Sequence, residues 1–356
     1  MHDRLTSRPR ILQLVTHDRL GGVRTLVQMV EAGLRDHGFV VDTLPLTSER
    51  GGVAAIGDLS RVAAAILSGR YEAILTYQAA ASVLGNFLGW IRGVPLRVAH
   101  QTAAPEGIRP HWKLIDRLFG TSGIYTHLIS NSSATSASFA AWPEPYRNRF
   151  VLIPHGVDPI AAPKTKIDWR RQLGIADTAL LLVATGRLVE QKNHAIAIEA
   201  LPLLENAHLV IAGDGPDQQQ LLSLADSLGV ADRLHLVGPI ERADLGALFA
   251  ASDIYLFPSI WETFGLAGVE AAMAGLPVVA SDLAVLREVL DVDATDMVRF
   301  HPPHDAAALV RAVGEIAAAD PDQAARSAFA AWHVQRHSRA RMIERYRDFL
   351  LTPIAR

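Results

Sequence analysis

Two rhythms of apolar residues alternate along this chain. Short unbroken apolar runs of strand length are separated by stretches where apolar residues return every three or four positions, as on one helical face. In the first half the runs are "RILQLV" (10–15), "YEAILTY" (71–77), "LRVAH" (96–100), "THLIS" (126–130) and "RFVLIP" (149–154). A Gly21-Gly22 turn follows the first run, and then Val23, Leu26, Val27, Val30 and Leu34 share one helical face. Ser132 or Ser133 is placed to cap a helix through Phe139.

"HGVDPIAAPKTK" (155–166) has turn-formers and no period, so it reads as a linker. The pattern then restarts with "ALLLVATG" (179–186), "AHLVIAGDG" (207–215), "RLHLVG" (233–238), "DIYLFP" (253–258) and "LPVVAS" (276–281). Continuous apolar strands alternating with helices predict parallel sheets covered on both faces. The expected fold is α/β, two doubly wound domains in tandem. The first spans 1–158 and the second 159–337, and a C-terminal helix follows at 338–356. Met342, Ile343, Tyr346, Phe349 and Leu350 give that last helix an apolar stripe that needs a surface to cover. In open sheets of this kind ligands bind beyond the carboxyl ends of the strands, and the cleft between two such domains is the default site.

Composition changes this picture little. The 356 residues are 49% hydrophobic and 20% charged, enough for sizeable cores. No cysteine is present, which removes disulfides and thiolate metal sites and fits a reducing cytosol. The start, "MHDRLTSRPRILQLV", lacks the apolar stretch of a signal peptide, and "AAASVLGNFLGWI" (79–91) is too short to span a bilayer. The net charge of −3 is uneven: residues 1–160 carry 16 Lys+Arg against 12 Asp+Glu, and the rest 18 against 25. A mildly basic half suits anionic partners such as phosphates or lipid headgroups, though a difference this small is more simply ordinary surface scatter.

The chemistry lies in the loops of the second half. In "GRLVEQKN" (186–193), Arg187 and Lys192 sit on one short loop opening a helix near Asn193, an arrangement that suits a phosphate. "AGDGP" (212–216) has two glycines at a strand end, without the third that a dinucleotide fingerprint requires, and no "GxxxxGK[ST]" exists anywhere. In "WETFGLAGVEAAMAGLP" (261–277), Glu262 precedes a helix and Glu270 lies about two turns, or about 9 Å, into it. Two carboxylates so spaced suit an elongated, hydroxyl-rich ligand, and the N–H groups of Gly265, Leu266 and Ala267 between them suit a diphosphate. A sugar nucleotide has that layout. The alternative is structural: a capping Glu262 and a Glu270 paired to an arginine.

With these motifs in order, "RILQLVTHDRLGGVRTL", "LIPHGVD", "GRLVEQKN", "AGDGP" and "FPSIWETFGLAGVEAAMAGLPVVAS", the chain resembles the retaining GT-B glycosyltransferases of family four (glycosyl transferases group 1). The resemblance covers nearly the whole chain and is strongest from 149 to 281. It implies the GT-B fold, with two Rossmann-like domains facing an interdomain cleft and a C-terminal helix crossing back to the first, acceptor-side domain. It implies a hexosyl- or N-acetylhexosaminyl-transferase working from a nucleoside-diphosphate sugar without metal or other cofactor. The acceptor would be a sugar, lipid-linked or small-molecule hydroxyl in glycan, polysaccharide or glycolipid synthesis. The implied setting is cytoplasmic or peripheral at the inner membrane face, with no nucleic acid involved. By the same resemblance Glu262 holds the donor sugar, Glu270 the ribose, and Arg187 and Lys192 the diphosphate. Phe264, Gly265 and Leu266 line the donor site, Gly21-Gly22 approach the phosphates, and His100 faces the donor sugar. Two positions depart from the family pattern: Arg24 stands where an acidic residue is common, and His155 where an asparagine is. A nucleotide-sugar epimerase or hydrolase on the same fold, or a non-catalytic sensor, remains an alternative.

Weaker signals follow. "DVD" (291–293) follows a helix rather than a strand, unlike a metal-binding acidic motif. His301 and His304, and His333 and His337, have too few companions for a metal and are expected to be solvated. Trp90, Arg92, Arg97, Arg109, Trp112, Lys113 and Arg117 form a basic, aromatic region that fits either a membrane or lipid-linked acceptor, or a helix surface with buried tryptophans.

Overall fold

The computed structural model describes residues 8–17, 22–47, 53–101, 105, 108–160, 168–292 and 295–352. The chain divides into two compact units, Met1–Gly156 with Arg339–Arg356, and Val157–Ser338. The first unit holds strands β1 (Arg10–His17), β2 (Val40–Thr47), β3 (Ala73–Tyr77), β4 (Leu96–Gln101), β5 (His127–Ser130) and β6 (Phe150–Leu152). All pair in parallel, in the order β2-β1-β3-β4-β5-β6. Every residue of β3 is buried, as a strand covered on both faces requires. The sequence pattern did not foresee β2. Its run "VVDTLPLT" is broken by polar residues and by Pro45, which a sheet tolerates here because β2 is an edge.

Helix Gly22–Asp36 buries Leu26, Val27, Val30 and Leu34 against this sheet. The C-terminal helix Arg339–Leu351 returns to the same core, burying Met342, Ile343 and Tyr346. The helix at Ser133–Ala137 is shorter than its sequence suggested, and Ser132 caps it by accepting the Thr135 N–H at 3.0 Å. His100, at the end of β4, is buried in this unit. Its Nδ1 lies 3.1 Å from the Thr76 carbonyl and its Nε2 2.9 Å from the Tyr346 hydroxyl. A carbonyl only accepts, so Nδ1 carries the proton and Nε2 accepts from the phenol. The ring also stacks on Tyr77 at 4.1 Å.

The second unit holds β7 (Leu180–Thr185), β8 (Ala207–Ala212), β9 (Leu234–Gly238), β10 (Ile254–Phe257), β11 (Val278–Ser281) and β12 (Val298–His301). Its parallel order is β12-β11-β10-β7-β8-β9. From β7 the chain builds outward through β8 and β9, then returns to place β10 on the other side of β7. Strand β12 was also unforeseen, because Arg299 and His301 interrupt it. Arg299 turns out to Asp296 and Glu315, and His301 is buried with Nδ1 2.8 Å from the Pro302 carbonyl. The start and end of this unit are tied by the Val157 N–H donating to the His337 carbonyl at 2.9 Å.

Three histidines expected in solvent are therefore in the core: His301, His333 and His337, while His304 is exposed. His333 packs as an aromatic, edge-on to Phe329 and Trp332 at 4.6 and 4.7 Å. Helix Gln323–His337 packs against helix Leu266–Met273, and the neutral imidazole supplies part of its apolar face. Asp293 of the "DVD" run lies outside the described residues. Among the described residues no helix is long and apolar enough to cross a membrane.

These buried imidazoles set the response to acid. Burial holds His100 and His333 down to about 3 and His194 to about 4, against an ordinary 6.5. Each folded value lies below the unfolded one, so protonation favours the unfolded chain. Their stabilisation is complete above pH 6.5 and is lost as pH falls toward the folded values, at about 1.4 kcal/mol per pH unit for each. Urea midpoints should fall steeply between pH 7.5 and 5. A flat profile would contradict the neutral burial of these rings.

Candidate active site

Strand order fixes where a ligand fits. The loops leaving β7 and β10 diverge at the point where the order reverses, so the crevice at their carboxyl ends is the binding position in the second unit. The loop after β7 runs through Gly186 and Arg187 into one 3₁₀ turn, Glu190–Lys192, before helix His194–Ala200. The "AGDGP" loop after β8 braces it. Leu188 donates to the Asp214 carbonyl at 2.7 Å, and Asp217 donates back to Leu188 at 3.1 Å. A Cβ on Gly213 would lie 1.8 Å from the Gly186 carbonyl oxygen. Glycine is thus required because two backbones meet there, a cause distinct from ligand approach.

The loop after β10 carries Glu262. Lys192 Nζ reaches Glu262 Oε1 at 2.5 Å, with both side chains largely buried at 17% and 10% exposure. Ser259 donates to the same oxygen at 3.0 Å, and Lys192 lies over the Phe257 ring at 5.3 Å. Backbone joins the two loops as well, Ile260 donating to the Gln191 carbonyl at 2.9 Å. Helix Leu266–Met273 then starts from Gly265, whose φ of 94° is left-handed and whose absent Cβ would press Leu286 and Phe257 at 2.8 and 2.9 Å. Its first-turn N–H groups, among them Leu266 and Ala267, have no acceptor within the helix.

Glu270 lies on this helix and pairs with Arg242, whose other amino group donates to the Asp158 carbonyl. Arg242 opens helix Arg242–Ala251 in the run "GPIERADL", which reads from sequence as a solvated helix start. Sequence reasoning missed it. The one signal was the requirement that a half-buried Glu270 have a partner. The charges of both glutamates are felt at Tyr255 of β10. Burial pushes its hydroxyl well above the ordinary phenol range, and the charges of Glu270 and Glu262 add to the push. That hydroxyl bonds Thr185 Oγ1 at 2.8 Å, at the end of β7.

The structure thus joins Lys192 to Glu262 and sets Gly265, Leu266 and Glu270 on the adjoining helix. The Glu270–arginine pair anticipated as the structural alternative is present, whereas Glu262 meets a lysine rather than capping the helix. Arg187 is exposed and is not drawn into that ion pair. Phe264 is buried, edge-on to His337 at 5.6 Å. His100 belongs to the first unit, with both ring nitrogens engaged there. Gly22 begins helix Gly22–Asp36, and Gly21 lies outside the described residues. No three His, Asp or Glu side chains gather as a metal site among the described residues.

Several known proteins are similar to this chain. Across residues 165–331 the chain matches the family described as Glycosyl transferases group 1. It is similar to the D-inositol 3-phosphate glycosyltransferase of Thermobifida fusca, 30% identical over 271 residues, 69% of this chain and 62% of that protein. An uncharacterized glycosyltransferase of Methanocaldococcus jannaschii is 38% identical over 128 residues, 35% of this chain and 33% of that one. The chain spans less than two thirds of the length of these relatives. Among solved structures, HepE of Anabaena in complex with UDP matches at a TM-score of 0.80 and 20% identity, over 97% of this chain and all of that one. Sucrose-phosphate synthase of Thermosynechococcus elongatus matches at 0.78 and 18% identity, with 97% and 100% covered. The chain has the GT-B fold.

One substitution tests the brace under the Lys192 loop. Gly213→Ala sets a methyl group against the backbone of Gly186 and should destabilise the protein by about 2–3 kcal/mol. Chemical denaturation reads this directly, and an unshifted midpoint would mean that the two loops do not touch.

Proposed function

We propose that the chain is a retaining, metal-independent glycosyltransferase that moves a hexose-type sugar from a nucleoside-diphosphate sugar to a hydroxyl acceptor. The observation that carries this reading is the largely buried Lys192–Glu262 pair at the β7/β10 reversal, beside a helix N-terminus, with Glu270 further along that helix. The family match over residues 165–331 supports it, as do the UDP and UDP-glucose complexes of the structurally similar HepE.

In this reading the diphosphate lies over the first turn of helix Leu266–Met273, with Lys192 and Arg187 balancing its charge. Glu270 accepts from the ribose hydroxyls, held in orientation by Arg242. Glu262 accepts from hydroxyls of the donor sugar. Lys192 then bridges the two halves of the ligand, touching the carboxylate that holds the sugar and the phosphate that leaves. As the glycosidic bond breaks, negative charge grows on the leaving diphosphate, where the cations and helix N–H groups already point. The acceptor hydroxyl attacks from the same face and passes its proton to the leaving phosphate oxygen. The acceptor is a sugar, a small molecule or a lipid-linked hydroxyl, and the location is cytoplasmic, peripheral at the inner face of a membrane. Residues 1–158 with the C-terminal helix serve the acceptor, and residues 159–337 the donor.

A panel of UDP-, GDP- and ADP-sugars followed by product analysis tests the class. Transfer to an added hydroxyl acceptor with the anomeric configuration kept is expected. Epimerised sugar, free sugar only, or binding without turnover would each reject the reading. Lys192→Ala and Arg187→Ala should each lose about 10²-fold in turnover, about 3 kcal/mol. Lys192→Ala also strands Glu262, so its melting temperature should drop, whereas the exposed Arg187 can be removed at little cost in stability.

The two glutamates separate by kinetics. Glu262→Gln should lower kcat more than it raises the donor KM, because its contacts tighten as the sugar gains positive charge. Glu270→Gln should weaken the free nucleoside diphosphate and the donor alike, since both contain the ribose. Calorimetry giving wild-type nucleotide affinity for Glu270→Gln would remove the ribose assignment.

Turnover should persist in EDTA, the cations supplying the charge a metal would otherwise bring. Complete loss with rescue by Mn²⁺ or Mg²⁺ would overturn this part.

A further inference from the structure

Two helices of the first unit, Ala79–Arg92 and Pro110–Ser122, pack together, with Phe87 stacked on Phe119 at 5.7 Å. Past that contact both turn large apolar side chains outward. Trp90 is 52% exposed, Ile91 56%, Leu114 71% and Leu118 60%. Phe87, Trp90 and Ile91 fall at i, i+3 and i+4, and Leu114 and Leu118 at i and i+4, so each set lies on one face of its helix. Single exposed apolar residues are ordinary, whereas a contiguous group marks a contact surface. Among the described residues, five of the exposed large apolar side chains are on these two helices.

Apart from one buried acid, the charges on the two helices have one sign. Arg92, Lys113 and Arg117 are the cations, and Arg109 directly precedes the second helix. The single acid, Asp116, is buried and accepts from Gln101 at 3.1 Å and from the Tyr146 hydroxyl at 2.8 Å. This inward anchor holds the second helix to the sheet and leaves its outer side cationic. A second copy of the chain is a poor occupant. A two-fold contact brings the same patch against itself, here cation against cation. Leucine, tryptophan and isoleucine flanked by arginine and lysine match the boundary between acyl chains and anionic headgroups.

We propose that this face docks on an anionic lipid bilayer, with Trp90, Ile91, Leu114 and Leu118 entering the headgroup–acyl boundary and Arg92, Lys113 and Arg117 pairing with lipid phosphates. The proposal needs no residue of the second unit and stands apart from the donor reading.

Co-sedimentation of the full chain with vesicles tests it. Phosphatidylcholine containing phosphatidylglycerol should bind the protein, phosphatidylcholine alone should not, and added salt should release it. Leu114→Ser/Leu118→Ser and Lys113→Glu/Arg117→Glu should each lower the bound fraction about tenfold with melting temperatures unchanged. Leu351→Ser, which removes an exposed apolar residue on the C-terminal helix, should leave binding as it is. The proposal is overturned by an absence of binding to anionic vesicles, or by binding that both double variants retain. It is equally overturned by a dimer in light scattering that Leu114→Ser/Leu118→Ser dissociates while vesicles go unbound.

Discussion

The contact between Lys192 and Glu262 governs the second unit. Two opposite charges taken out of bulk water are stable only with close geometry and further hydrogen bonds. Here they join the loops of two neighbouring parallel strands, beyond which the chain diverges. Ser259 shares the carboxylate, Phe257 lies under the ammonium, and Gln191 bonds the partner loop. The "AGDGP" backbone supports the lysine side, and helix Leu266–Met273 begins just beyond the glutamate side. Each of these features is local, and the ion pair makes them one site.

The same pair is compatible with ligand chemistry because neither group is exhausted by it. The ammonium has three donors and the carboxylate four lone-pair positions, so each keeps capacity after one mutual bond. Arg242 and Glu270 repeat the arrangement on the same helix, with a guanidinium that also reaches the Asp158 carbonyl. The site is built from paired charges rather than lone ones, which answers the cost of burying two glutamates.

The sequence made much of this legible. Central strands announce themselves because a strand buried on both faces has little choice but to be apolar throughout, as in "AILTY" and "LLLVAT". The edges β2 and β12 were hidden because one flank is open and tolerates Pro45 and Arg299. Glu262 and Glu270 were visible because charged residues in an otherwise apolar run need a reason, and Lys192 because it shares with Arg187 a short loop that opens a helix. Arg242 was not, since an arginine at a helix start is ordinary until its partner is known. His301, His333 and His337 misled for a related reason: an imidazole that stays neutral packs as an aromatic ring, and its letter alone does not tell which form is present.

The His100–Tyr346 bond joins residues 246 positions apart, and between them lies the whole of Val157–Ser338. A chain emerging from the ribosome has every residue of that contiguous second unit before it has the helix that covers the core of the first. Val30, Leu34 and the sheet beneath them must wait for Met342, Ile343 and Tyr346 to arrive. The unit that begins first in synthesis is completed last, and until then it presents an uncovered apolar surface to the crowded medium around it.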